Sequence, residues 1–188
     1  MIDKDERRQL YKTLEKRIIS GESKSKIYAE YTDAKDAKLV AKIMALMPTA
    51  VRRKQFKRLN WSLVAILGIL TVIKIAVVTL LVLTEIPNGA IIIFIAPIIN
   101  LVLIWAVAKF QGFGYLIVIA ISINGIAKLT EVLTKNTHPI DLTINITNLV
   151  LSLASIIIAA ILMKKLLPQT TLFLTPKKDD AGNPIFED

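Results

Sequence analysis

Polarity changes twice along this chain. Up to residue 60, apolar side chains recur at helical spacing among many charges; from 61 to 165 they run almost unbroken; from 166 onward the chain is polar again. The middle regime contains four apolar runs, at 61–84, 86–108, 113–133 and 140–163. About 20 mostly apolar residues suffice for a helix to cross a bilayer, and all four runs are long enough. The links between them are short, which makes sequential helices antiparallel neighbours. The pattern therefore predicts an all-α membrane protein. A four-helix transmembrane bundle over 61–165 is preceded by a small cytoplasmic three-helix head over 1–60 and followed by a short polar cytoplasmic tail over 166–188.

In the head, Leu10, Leu14 and Ile18 beside Tyr11 predict a first helix over 3–19, ended by Gly21. Ile27, Tyr28 and Tyr31 mark a second over 22–31. Leu39, Val40, Ile43, Met44 and Met47 mark a third over 33–47, with Thr32 as its N-cap and Pro48 as its stop. A basic segment, 49–60, leads into the first span. Fewer than 50 residues make a thin core, so the head leans on the membrane or a partner. Helices two and three also fit a helix-turn-helix, with Lys35, Lys38 and Lys42 as a phosphate-facing stripe. The missing turn glycine and the ordinary look of a solvated lysine face disfavour a nucleic-acid partner.

Charge sets the orientation. The chain has 188 residues, a formal net charge of +9 and a mean hydropathy of +0.56. Residues 1–60 hold sixteen Lys or Arg against eight Asp or Glu. Arg52, Arg53, Lys54, Lys57 and Arg58 precede the first span, and Lys164, Lys165, Lys177 and Lys178 follow the fourth; Lys109 lies between spans two and three. The other side offers only Lys135. Cytoplasmic loops carry the excess of Lys and Arg, so both termini are expected in the cytoplasm, of a membrane such as a bacterial inner membrane. Trp61, Trp105 and Tyr115, with Phe110 and Phe113, fall at the same helix ends and read as interface anchors. The run Arg52 to Arg58 reads as a contact for anionic lipid headgroups or a partner. No cleavable leader is visible, and the first span is expected to act as an uncleaved anchor.

Polar residues inside the apolar runs are the candidate site, because such groups are costly in lipid and must face protein or water. Lys74 lies thirteen residues past Trp61, roughly 20 Å along a helix. Lys128 lies at a matching depth in the third run, with Glu131 one turn on. Asn124 and Lys135 extend that stripe, and Asp141, Asn145, Asn148, Ser152 and Ser155 form another on the fourth run. Asn100, near a kink expected at Pro97, completes the set. The expected cluster is Lys74, Asn100, Asn124, Lys128, Glu131, Asp141, Asn145 and Asn148, open to the outer face. It serves either as a site for an anionic or zwitterionic ligand or as helix-packing polarity. Residues 98–103 resemble 146–151, each with a central asparagine, which fits a duplicated hairpin. The distances of the two asparagines from the next basic residue, however, put them at different depths. In the tail, Pro168 ends the last helix, and a turn at 180–184 either pairs Phe173 and Leu174 with Ile185 and Phe186 or belongs to a disordered end.

Much chemistry is excluded. There is no cysteine, hence no disulfide, thiol nucleophile or thiolate metal site. One histidine, His138, cannot make a multi-histidine centre, so neither metal nor cofactor is expected. No phosphate-binding glycine loop or nucleophile elbow occurs. The expected function is non-catalytic: an assembly, scaffold or regulatory component acting through its head, in contact with the lipid bilayer and its anionic lipids, as a homo-oligomer or beside a partner subunit. The alternatives are a small transporter or channel using the Lys–Glu–Asn cluster, and a membrane-tethered nucleic-acid-binding regulator.

Overall fold

A computed structural model describes residues 3–32, 36–84, 90–133, 139–171 and 174–186, with backbone alone at 78, 80–84, 90–97, 128–133 and 139–141. Among the described residues there are eight helices and no strands. The head contains α1 (Lys4–Ile19), α2 (Lys24–Ala29) and α3 (Ala37–Ala45); α4 (Ala50–Gln55) joins it to the long helices. These are α5 (Lys57–Thr84), α6 (Ala90–Ala108), α7 (Gly112–Leu133) and α8 (Pro139–Leu166).

The local chemistry explains the boundaries. Asp3 caps α1 in a reciprocal box with Glu6, satisfying amide donors that a helix start leaves open. Ser23 and Thr49 cap α2 and α4 one-sidedly, their hydroxyl oxygens accepting from the Lys26 and Arg52 amides. Thr32 does not cap α3. Its hydroxyl donates back to the Tyr28 carbonyl at 3.3 Å, and α3 begins at Ala37 with Asp36 in the cap position. The basic segment after Pro48 is itself the helix α4, and α5 starts at Lys57, a full turn before the apolar run.

The head closes over Leu14, Ile18, Ile27, Val40, Met44 and Met47, all at most 1% exposed. Arg17 ties it together from outside. Its guanidinium reaches Glu22 at 2.5 and 2.7 Å and Glu30 at 2.6 and 2.7 Å. These hydrogen bonds hold both carboxyl groups below the usual glutamate range. The Tyr11 hydroxyl is pushed up, first by burial and then by Glu15.

The long helices pack in the cyclic order α5–α6–α7–α8, with α5 also against α8; the hairpins α5–α6 and α7–α8 are the closest pairs. Their tight core lies at the end nearest the head, where Leu63, Val107, Tyr115, Val118, Leu162 and Leu166 meet. At that end the α6–α7 turn is sharp. Phe110 adopts φ 57°, a left-handed conformation costly for a side chain with a Cβ. Gln111 N–H closes on the Ala106 carbonyl at 2.9 Å, as in a helix C-cap. The turn is clamped by Arg53, whose guanidinium stands 5.9 Å over the Phe110 ring, reaches Glu15 of α1 at 3.4 Å and donates to the Pro48 carbonyl at 3.2 Å.

The tail folds back rather than trailing away. Lys177 N–H donates to the Gln169 carbonyl at 2.7 Å, Ile185 N–H to the Lys177 carbonyl at 2.9 Å, and Gly182 turns the chain at φ 85°. Leu174 does not pair with the end of the tail: it is buried in the bundle core, while Phe186 packs at a tilt against Tyr28 of the head, with ring centroids 5.2 Å apart. Phe173 lies outside the described residues.

Candidate functional site

Beyond the tight core, the bundle opens into a cavity of about 160 Å³. Each helix contributes at its own periodicity. Leu67, Leu70 and Lys74 come from one face of α5, Asn100 and Leu103 from α6, Ser122 and Gly125 from α7, and Asn148 and Ser152 from α8. Asn100, Ser122 and Ser152 are each less than a tenth exposed. Asn148 Oδ1 is buried with no hydrogen-bond partner among the described residues. A buried acceptor without a partner costs about 1–3 kcal/mol, and a polar cavity of this size has room for waters that donate to it. No carboxylate belongs to the described lining, so Lys74 makes the cavity electropositive. Other hydroxyls in these helices are satisfied locally: Thr71 donates to the Leu67 carbonyl at 2.7 Å and Ser155 to the Leu151 carbonyl at 2.9 Å.

Of the cluster expected from sequence, Lys74, Asn100 and Asn148 come together. Asn124 is exposed and faces away from the bundle, because Ser122 and Gly125 occupy the inward face of α7 at that level. Asn145 is half-buried and off the lining. The side chains of Lys128, Glu131 and Asp141 lie outside the described residues, as do Lys35, Lys135 and His138. Asn100 and Asn148 share one cavity despite their different distances from the next basic residue. The reason is that α8 has 28 residues against 19 in α6 and runs on to meet α4.

Trp61 and Trp105 are half exposed, but Tyr115 is fully buried. Its hydroxyl donates to Asn60 Oδ1 at 2.7 Å, and Asn60 Nδ2 donates to the Val107 carbonyl at 2.9 Å. Tyr115 therefore joins α5, α6 and α7 instead of facing an interface. Asn60 was not legible as a site residue; its one signal is a small amide beside Trp61 at the mouth of an apolar run. The basic run also divides. Lys54, Lys57 and Arg58 are exposed, whereas Arg52 and Arg53 are half-buried against the protein, Arg52 donating to the Lys165 carbonyl at 3.2 Å. In the head, Lys38 and Lys42 are exposed.

Two helices, over Lys57–Val77 and Leu142–Leu166, are long and apolar enough to cross a membrane; the described stretches Ile98–Ala108 and Gly112–Ala127 are shorter apolar helices. The class supported is thus an all-helical protein with two candidate membrane-spanning helices. Compared with known protein families, with curated proteins and with solved structures, the chain matches none.

Proposed function

We propose that this chain is a non-catalytic, multi-pass membrane component in which α5 to α8 all cross the bilayer, with head and tail together on the cytoplasmic side. One observation carries the reading. Large apolar side chains point outward on each of the four long helices: Val72, Leu101, Val102, Ile123, Val150 and Ile157 are each more than half exposed. Water does not tolerate a continuous apolar belt of this kind, which marks a lipid or protein contact. The exposed cations Lys54, Lys57, Arg58, Lys164 and Lys165 gather at one end of it, as the distribution of basic residues around spans requires. The head, held to the bundle by Arg53, offers its exposed Lys38 and Lys42 face to a cytoplasmic partner and so acts in assembly or regulation.

The cysteine-free chain allows a direct test. In single-cysteine variants, Asn88→Cys and Asn136→Cys should react with a membrane-impermeant maleimide from outside intact cells, and Ser20→Cys and Thr175→Cys only after permeabilisation. Labelling of all four from the same side would overturn the topology. Copurification in mild detergent tests the assembly role: a stoichiometric partner should be lost in Lys38→Glu/Lys42→Glu.

A second reading is favoured by the Lys74 cavity, which suits a small anion. It predicts that Lys74→Met abolishes anion flux in proteoliposomes while insertion is unchanged; unaltered flux would end it.

A further inference from the structure

At the end of the bundle nearest the head, α4, the last turn of α8 and the tail enclose a cleft of about 480 Å³. Arg52, Lys164, Lys165 and Lys177 line it, and no carboxylate does among the described lining residues. Arg52 lies more than a hundred residues from the three lysines, so folding alone brings it to them. The negative end of the α8 dipole accounts for one: Arg52 donates to the Lys165 carbonyl at 3.2 Å. The three lysines, all exposed, share the lining of the cleft, where a bound anion would offset their like charge.

A second cavity of about 470 Å³ continues from the first, sharing Lys164, Pro168 and Lys177, and its other walls include Ala160 and Met163 of α8 and Leu167 just beyond it. The combined space is amphiphilic, with a cationic chamber at the helix end and an apolar groove running back along the outer face of α8. We infer that it binds one anionic glycerophospholipid, with the phosphate in the Arg52–Lys164–Lys165–Lys177 chamber and an acyl chain along Ala160 and Met163. This inference rests on the membrane placement proposed above, which brings the chamber to headgroup level. Phosphate oxygens accept charge-assisted hydrogen bonds from lysine and arginine. Each basic residue near an anionic headgroup contributes about fivefold in affinity.

Displacement of a fluorescent phosphatidic acid from the full-length protein in neutral-detergent micelles tests this, with dioctanoyl phosphatidic acid, dioctanoyl phosphatidylcholine and inorganic phosphate as competitors. The phosphatidic acid should displace the probe, and the other two should do so only at far higher concentration. Lys177→Gln should weaken its binding about fivefold, and Lys164→Gln/Lys165→Gln/Lys177→Gln about a hundredfold. Ala160→Trp, at an exposed position, should fill the groove and weaken the lipid without changing charge. Lys178→Gln, a neighbouring cation outside the lining, should bind like the wild type. Equal loss in Lys178→Gln and Lys177→Gln would mean general charge attraction and overturn the site. A triple variant that binds normally would do the same, and inorganic phosphate competing as well as the lipid would make it a free-phosphate site. Because binding is read in micelles, a chain that alkaline carbonate strips from membranes would refute the membrane placement separately from the lipid site.

Discussion

The Asn60–Tyr115 pair supports a worked prediction, because each partner's bonds are fully accounted for. Tyr115→Phe removes the hydroxyl that donates to Asn60 Oδ1 at 2.7 Å and leaves that oxygen buried without a partner. The cost is that of an unsatisfied buried acceptor, about 1–3 kcal/mol. Asn60→Leu keeps the branching and heavy-atom number of the side chain. It does not strip the Val107 carbonyl, which Phe110 N–H also reaches at 2.9 Å. The group orphaned is the Tyr115 hydroxyl, at about the same 1–3 kcal/mol. The double variant removes both polar partners and leaves no orphan, so only the net worth of the lost bonds remains, about 1–2 kcal/mol. The singles should therefore sum to more than the double, with a coupling of about 1–3 kcal/mol. At about 2–4 °C per kcal/mol for a chain of this length, the singles unfold several degrees below wild type in detergent and the double lies no lower than the worse single. Additive shifts, or a Tyr115→Phe chain as stable as wild type, would refute the description of this junction.

Two further outcomes are expected. Since Arg17 holds Glu22 and Glu30 below their usual range, their contribution to stability is present above that range and is lost as pH falls through it into the depressed folded values. The helical circular dichroism signal of the full chain should melt progressively lower on acidification below the usual glutamate range, and Arg17→Met should flatten that limb; parallel acid profiles would rule the linkage out. At Gly114 a Cβ would stand 3.1 Å from Ala106 Cβ and 3.4 Å from the Val107 amide nitrogen. Gly114→Val should push α6 and α7 apart at a cost of about 1–3 kcal/mol, seen as a thermal midpoint several degrees lower in detergent. An unchanged midpoint would show that the two helices are not in close contact there.

The head was legible in unequal parts. The faces Leu14–Ile18 and Val40–Met47 follow from periodicity, since a helix must bury one stripe. The start of α3 was not, because Thr32 and Asp36 are both acceptable caps by composition and the choice depends on where Thr32 can bond. In the candidate site, Lys74, Asn100 and Asn148 were visible as polar exceptions in apolar runs, yet Asn124 was read onto the wrong face. A stripe read at spacing three and four drifts around a helix over several turns, so neighbouring polar residues exchange faces with a small rotation. Only packing against α8 selects Ser122.

Length of apolar run, spacing of head hydrophobes and placement of lysines are properties of consecutive residues. They determine by themselves that the chain is helical, strongly apolar in its middle and basic at the ends of its long helices. Nothing in consecutive residues says which distant groups meet. Tertiary structure alone took Tyr115 inside to Asn60, turned Arg53 from a lipid-facing run onto Phe110, and gathered Arg52, Lys164, Lys165 and Lys177 around one cleft. The physical reason is that periodicity specifies a helix face, whereas the rotation and depth of one helix against another follow from the summed fit of many side chains.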